Sequence, residues 1–277
     1  VTVQAADQSN EKHGFYGGRV AFDDNPVDDG FKTISITGSS VVFGPVNQDG
    51  DGAIRFFGGY ADIGTTTTSI TLNDNQVVIG DASTSSLLYD AEIAGAKLNF
   101  AGTPNPDQYS VFSLANNSVT LMNLSVQSLD VSGAYTPNGD VSGNKIVLDG
   151  VTVSDDMAIN MLAGGTTGYG SAANNSIEIS NSIIAEGAMV WGGKNDSANA
   201  TGNTGNRVTI GENVTGPSNS RLSLDQLYGG HWGQSTQSEN PDASVQVADG
   251  LNNNYLTLYS PVSTRYFGGV QHFEFFL

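Results

Sequence analysis

Apolar and polar residues alternate along most of the chain. Segments such as Ile146-Val147-Leu148 and Ile177-Glu178-Ile179 place apolar residues two positions apart, which puts them on one face of a β-strand. The spacing typical of an amphipathic helix is almost absent, and Gly and β-branched residues stand where helix formers would be needed. The pattern predicts an all-β protein.

The strands recur within a longer repeat. Each clear copy opens with an Asn, followed by two apolar residues of one strand and, after a short gap, further apolar positions. Copies starting at Asn144, Asn175 and Asn206 are spaced 31 residues apart. Another clear copy starts at Asn117, and weaker ones at Lys32, Thr68 and Asn254. Because such regular spacing is unexpected in a merely alternating sequence, it indicates an internal repeat.

A second motif falls between these copies, where an apolar and often aromatic residue precedes two glycines. We expect each glycine pair to form a corner with positive φ. We also expect the aromatic before the pair to face the interior with the apolar residues of the repeat. The copies of this motif are Phe15-Tyr16-Gly17-Gly18, Phe56-Phe57-Gly58-Gly59, Val190-Trp191-Gly192-Gly193, Leu227-Tyr228-Gly229-Gly230 and Tyr266-Phe267-Gly268-Gly269.

Two strands, a corner and a loop make a coil of about 20–30 residues, the size of one β-solenoid rung. The sequence therefore predicts a single β-helical domain over residues 1–277 with about eight rungs, less regular over 1–116 and clearest over 117–277. A β-sandwich is the alternative, since it also contains short alternating strands. A sandwich does not repeat a long pattern, so the solenoid is favoured.

The repeat resembles the passenger domains of bacterial autotransporter adhesins, most clearly from Val190-Trp191-Gly192-Gly193 to Asn206-Arg207-Val208-Thr209-Ile210. The resemblance implies a right-handed parallel β-helix that is secreted and displayed on the bacterial surface. It also implies an anchoring outer-membrane barrel that this chain does not contain, so we expect the chain to be part of a longer passenger.

Composition narrows the classes of partner. The formal net charge is −18, with only 10 Lys and Arg, which argues against nucleic acid or anionic lipid because both require clustered cations. The chain has no Cys, so disulfides, thiol nucleophiles and Cys-ligated metals are excluded. No apolar stretch approaches the length of a membrane helix, and we expect no membrane insertion by this segment. No cofactor is expected either.

Catalysis is not expected. The sequence has no Gly-x-Ser-x-Gly elbow, and adjacent Asp residues in Gly-rich turns are more simply solvated loop charges than a glycosidase pair. Asp49 and Asp51 are weak metal candidates, because the segment from Asn47 resembles the start of an EF-hand loop. The twelfth position of that loop is Gly58 instead of the required Glu.

Tyr228, His231 and Trp232 form the best candidate ligand-binding segment, since Trp232 follows the corner and falls outside the apolar register. The Asn residues that open the repeats are compatible with a buried ladder or with solvent-facing turns. We expect an adhesin that binds a host-cell receptor, a glycan or a bacterial surface partner. A polysaccharide-degrading enzyme on the same fold and a structural spacer are the alternatives.

Overall fold

A computed structural model describes residues 2–4, 13–21, 33–49, 52–63, 69–100, 112–154, 160–196, 202–232, 251–268, 270 and 272–276. Within these residues the protein is all-β, and its one helical segment is a short 3-10 turn, Pro217–Asn219. No helix in the described part of the chain is long and apolar enough to cross a lipid bilayer. The all-β prediction is confirmed.

The described strands form three sheets. The first sheet contains β1 (Thr2–Gln4), β2 (His13–Ala21), β5 (Asn47–Asp49), β6 (Ala53–Ile63), β9 (Ser86–Phe100), β12 (Leu124–Thr136), β15 (Thr152–Val153), β16 (Met161–Ala163), β17 (Thr166–Thr167), β20 (Ala188–Asn195), β23 (Leu222–Trp232) and β26 (Val262–Gly268). The second contains β3 (Thr33–Thr37), β7 (Ser69–Asn73), β10 (Phe112–Ala115), β13 (Asp140–Ser142), β18 (Ser171–Ala173), β21 (Gly202–Thr204) and β24 (Leu251–Asn252). The third contains β4 (Ser40–Phe43), β8 (Gln76–Ile79), β11 (Ser118–Met122), β14 (Lys145–Asp149), β19 (Ser176–Ser180), β22 (Arg207–Ile210), β25 (Tyr255–Leu258) and β27 (His272–Phe275).

Successive strands visit the second, third and first sheets in turn, so neighbours within a sheet come from successive passes of the chain. The pairing is parallel in all three sheets, as between β14, β19 and β22. This arrangement is consistent with a β-solenoid. It contradicts the β-sandwich alternative, because hairpin-connected antiparallel strands do not stack in this order.

The predicted facing of the clear repeats is confirmed. Ile177 and Ile179 are buried while Glu178 between them is exposed and pairs with Lys145 at 2.9 Å. Ser182, the polar residue at an inward position, is also buried, where its hydroxyl accepts a hydrogen bond from Val151 N. Inward polar positions of the repeat are therefore satisfied locally.

The register predicted for the first two weak copies was wrong. The strands that follow Lys32 and Thr68 are β3 and β7 of the second sheet, whereas the strands that follow Asn117 and Asn144 belong to the third. The equivalent positions in the first two coils are Ser39 and Asn75, which precede β4 and β8. Both sheets alternate with period two, so alternation alone did not distinguish them.

A buried ladder of Asn side chains joins the coils at the corner between the second and third sheets. In each step the backbone N and the side-chain Nδ2 of one Asn both donate to Oδ1 of the Asn in the next coil, at 2.9–3.1 Å. Nδ2 also donates to a carbonyl of the preceding coil. These Asn residues therefore form a buried ladder and are not solvent-facing turn residues. The members of the ladder are Asn75, Asn117, Asn144, Asn175, Asn206 and Asn254.

The residue before each ladder Asn turns the chain. Asn116 and Asn174 have φ of 56°, and Gly143 and Gly205 have φ of 64° and 69°. Gly, Asn and Asp tolerate this left-handed conformation better than other residues. The sequence signal for the corner is therefore a Gly, Asn or Asp directly followed by Asn.

The double glycines do not have the positive φ that we expected. They lie within long strands of the first sheet, and no described member of a pair is among the residues with positive φ. Glycine is required there for close approach instead. A Cβ on Gly59 would lie 2.7 Å from the side chain of Asn75, and one on Gly193 would lie 2.6 Å from that of Asn206.

The glycines and the Asn ladder meet across the interior and divide it. One apolar core packs the first half of the long strands, with Ile54 and Phe56, against the third sheet. The other packs their second half, with Ala61 and Ile63, against the second sheet. The first sheet is therefore bent inward at each glycine pair.

Candidate binding groove on the first sheet

The inward bend leaves a groove on the outside of the first sheet. Three residues along a straight strand span about 10 Å and end on opposite faces. Here residues three apart touch instead, since the Phe57 and Tyr60 rings stack at 5.3 Å and Lys194 Nζ lies 4.6 Å from the centre of the Trp191 ring. Such contacts require a sharp bend that is concave toward the outside.

We call this surface the outer groove. Two rows of residues in parallel register define it, one on each side of the glycines. The row before the glycines is Tyr16, Phe57, Ala94, Ser132, Ala163, Trp191 and Tyr228, and the row after them is Arg19, Tyr60, Lys97, Tyr135, Thr166, Lys194 and His231.

The aromatic directly before each glycine pair lies in this groove, which corrects our expectation that it would join the interior. Phe56 belongs to the interior core, whereas Phe57 packs with Tyr60 and Ala94 in a separate cluster. Trp191 is likewise buried, at 3% exposure, but beneath Lys194. Strand alternation explains the result, because the inward position is occupied by the residue directly before the aromatic, such as Phe56 before Phe57.

Charged side chains pack over these rings. Lys97 Nζ lies 5.5 Å from the centre of the Phe57 ring and 5.3 Å from that of Tyr135. It pairs with Glu92, which also accepts a hydrogen bond from Arg55 at 2.9 Å. Because these groups are partly buried and mutually compensated, this part of the groove is held in one arrangement.

Two tyrosines of the groove keep their protons well above neutral pH. Burial, aided by the negative charge of Asp62, raises the pKa of Tyr60 to about 12. The Tyr60 hydroxyl donates to Asp62 and accepts from Asn99 Nδ2 at 2.8 Å. Burial also raises the pKa of Tyr135, with a further contribution from nearby Asp196. Both side chains are therefore neutral hydrogen-bonding groups.

The end of the groove toward the C-terminus contains the predicted binding segment. The Tyr228 and His231 rings meet edge to face at 4.8 Å, and the Trp191 ring lies 6.1 Å from His231. Trp191 Nε1 donates to Gln226 Oε1 at 3.1 Å, which fixes the indole. Lys194 pairs with Asp196 at 2.9 Å. Two of the predicted ligand-binding residues, Tyr228 and His231, are thus in contact, and their binding of a ligand stays a prediction.

His231 is neutral over the physiological pH range. The pKa of His231 is lowered to about 4, chiefly by burial and then by the positive charge of adjacent Lys194. The negative charge of Asp196 opposes this shift but is the smaller effect. Burial and then Asp225 raise the pKa of the Tyr228 phenol. This end of the groove therefore presents an imidazole, a phenol and one compensated ion pair.

The remaining predicted residues are placed as follows. The backbone of Trp232 ends β23 in register with Asn195, while its side chain lies outside the described residues. The same holds for the side chain of Asp49 and for the whole of Asp51. In the described part of the chain no group of three or more His, Asp or Glu side chains is arranged to hold a metal ion.

Sequence reasoning missed Trp191 and Lys194 as members of this cluster. The signal was present, because Trp191-Gly192-Gly193-Lys194 and Tyr228-Gly229-Gly230-His231 are the same motif in consecutive coils. The copies in which Ala replaces the second glycine were also missed. These are Gly95-Ala96 and Gly133-Ala134, and both alanines are fully buried.

A glycosidase would need a pair of facing carboxylates in the groove. Glu92 and Asp130 are register partners on adjacent strands, so they lie side by side. Glu92 is bonded to Arg55 and Lys97. A glycosidase pair faces across the scissile bond instead, so these two residues do not form one.

Comparison of the chain with protein-family models, with curated proteins and with solved structures found no match.

Proposed function

We propose that this chain is an adhesive segment of a bacterial surface protein, built as a right-handed parallel β-helix of about eight rungs. The described third sheet contains eight strands stacked in parallel, and crossovers between parallel strands of one sheet are right-handed in about 98% of cases. Display on the bacterial surface, through an anchor elsewhere in a longer protein, belongs to the same proposal.

The outer groove is the observation that carries the adhesive role. It places aromatic rings and cations in two rows of continuous register on one lateral face of an acidic protein. The carboxylates of Glu92 and Asp196 pair with the cations Lys97 and Lys194 of these rows. Half-exposed members such as Tyr16, Tyr135 and Tyr228 offer both apolar surface and a hydroxyl, the combination that is common in recognition surfaces. Repetition along the rod supports several modest contacts acting together.

A bead-adhesion assay tests this function. Purified protein coupled to beads should be retained under flow on epithelial cells or on bacteria, in excess of albumin-coated beads. Replacing Tyr135 and Tyr228 by Ala should reduce retention, because both contribute half-exposed rings to the groove. Tyr255→Ala is the matched control, since Tyr255 is half-buried on the third sheet beneath Arg207 at 5.0 Å.

Retention no greater than that of albumin beads would contradict an adhesive role and favour a spacer. Equal retention of the groove variant and the control variant would place the binding surface elsewhere. Release of reducing sugar from polysaccharides by the wild-type protein would instead support the enzyme alternative. Circular dichroism of each variant confirms that it is folded before retention is compared.

A further inference from the structure

Two polar atoms of the outer groove are buried without a hydrogen-bond partner among the described residues. They are Thr166 Oγ1 and His231 Nδ1. An unpaired buried polar atom costs about 1–3 kcal/mol, and its presence in a native structure calls for a partner such as water or a ligand. Both atoms belong to the row that follows the glycines, so their unmet hydrogen bonds fall on one surface.

The two residues lie two rungs apart, with Lys194 on the rung between them. Thr166 is the register partner of Lys194, and Lys194 is the register partner of His231. Since adjacent parallel strands lie about 4.8 Å apart, the two positions are about 10 Å apart along the stack. A single ligand that satisfies both must therefore be elongated and lie parallel to the rod axis.

The surroundings of these atoms combine aromatic rings with a few polar groups. Trp191 is fixed by its hydrogen bond to Gln226 at 3.1 Å, and Tyr228 is in edge-to-face contact with His231. Lys194 lies between the two unpaired atoms and is held by Asp196 at 2.9 Å. Fixed aromatic walls beside a few polar groups are typical of small-ligand sites.

The polar groups present favour a partner that both donates and accepts hydrogen bonds. A neutral imidazole has one donor and one acceptor nitrogen, and a Thr hydroxyl can do either. Hydroxyl groups of a sugar have the same dual character. Lys194 is paired with Asp196 at 2.9 Å, and Arg265 lies 3.9 Å from Asp225. The described residues at this end of the groove therefore offer no uncompensated cation that would favour an anionic ligand.

We propose that Thr166, Lys194 and His231, beside the rings of Trp191 and Tyr228 in the other row, form a binding subsite for a neutral, linear saccharide that lies along the rod. This inference rests on the proposed adhesive function, because it names the ligand class of the same groove. The Thr166 hydroxyl and the His231 imidazole hydrogen-bond to sugar hydroxyls two rungs apart, on either side of Lys194. The half-exposed ring of Tyr228 packs against the apolar face of a sugar ring, while the buried Trp191 supports Lys194 from below.

A printed array of neutral, sialylated and sulfated oligosaccharides tests the subsite. The wild-type protein should bind neutral linear glycans in preference to acidic ones. Thr166→Val keeps the side-chain shape but removes the hydroxyl, so affinity should fall about tenfold. Its thermal stability should stay equal or rise, because an unpaired polar atom is removed. Thr209→Val, on the third sheet, should change neither property.

A purely structural role for Thr166 predicts the opposite pattern, in which the variant loses stability and retains glycan binding. That result would overturn the subsite, as would binding restricted to acidic glycans. A wild-type protein that binds no arrayed glycan would mean that the two atoms bind only water. If beads were still retained on cells in that case, the adhesive function would stand and the saccharide subsite alone would fail.

Discussion

Replacement of Asn175 by Ala should be strongly destabilising, because this side chain links three consecutive coils. Its Oδ1 accepts from Asn144 N and Nδ2 at 3.1 and 2.9 Å, while its Nδ2 donates to Val141 O at 3.2 Å and to Asn206 Oδ1 at 2.9 Å. The residue is completely buried. Truncation therefore leaves two donors of Asn144 unpaired where water cannot reach them.

Each orphaned donor costs about 1–3 kcal/mol, so we expect a loss of about 4 kcal/mol in the free energy of unfolding. Urea unfolding followed by circular dichroism measures this quantity. Ser180→Ala is the control, because Ser180 lies in the same coil and loses only an exposed hydrogen bond of 3.1 Å to Asp149. Its effect should be below about 0.5 kcal/mol.

Asn175→Asp separates hydrogen bonding from packing, since Asp has nearly the same shape and keeps the acceptor. It has no amide donor for Val141 O or Asn206 Oδ1, and it introduces a buried charge beside those oxygens. We expect it to destabilise at least as much as Ala. A loss below about 1 kcal/mol for both variants, or a loss equal to that of Ser180→Ala, would refute the ladder.

Three further predictions concern facing, close packing and protonation. Ile177→Asp should cost several kcal/mol because it buries an unpaired charge, while Glu178→Gln should have little effect; equal urea midpoints would contradict the assigned facing. Gly193→Ala should cost about 1–3 kcal/mol by overpacking against the Asn ladder. A Cβ on Gly202 meets nothing within 4 Å among the described residues, so melting curves of Gly202→Ala should match wild type. Because the folded protein lowers the pKa of His231 from 6.5 to about 4, protonation favours unfolding. The stability of wild type relative to His231→Gln should therefore fall as the pH drops from about 6.5 to 4, and a pH-independent difference would contradict its burial.

The sequence predicted the interior well where side-chain type reports burial directly. Ile177 and Ile179 alternate with Glu178, so their facing followed from period two alone. The register of the first coils could not be obtained in this way, because the second and third sheets alternate identically. Only the ladder Asn, which stands between a strand of the second sheet and a strand of the third, distinguishes the two sheets in the sequence. In the first coil the ladder position is occupied by Ser39 instead of Asn.

The groove was harder to predict than the core, since it depends on a bend that alternation does not reveal. Two consecutive glycines that both face the interior break the period of the strand, which brings Trp191 and Lys194 together on the outside. Glycine is ambiguous in sequence, because it serves positive φ and close approach equally well. The aromatic before the pair was therefore assigned to the interior, although only the residue preceding it lies there.

Cysteine cross-linking tests the stacking of parallel coils most directly, because the chain has no Cys of its own. Glu178 and Thr209 are register partners on adjacent strands of the third sheet, at a spacing that a disulfide can bridge. Thr257 is in the same register one coil further on, about 10 Å from Glu178. Oxidation should cross-link the Glu178→Cys/Thr209→Cys protein and leave Glu178→Cys/Thr257→Cys reduced. A folded protein in which the first pair stays reduced, or in which both pairs cross-link equally, would contradict stacked parallel coils and the groove built on them.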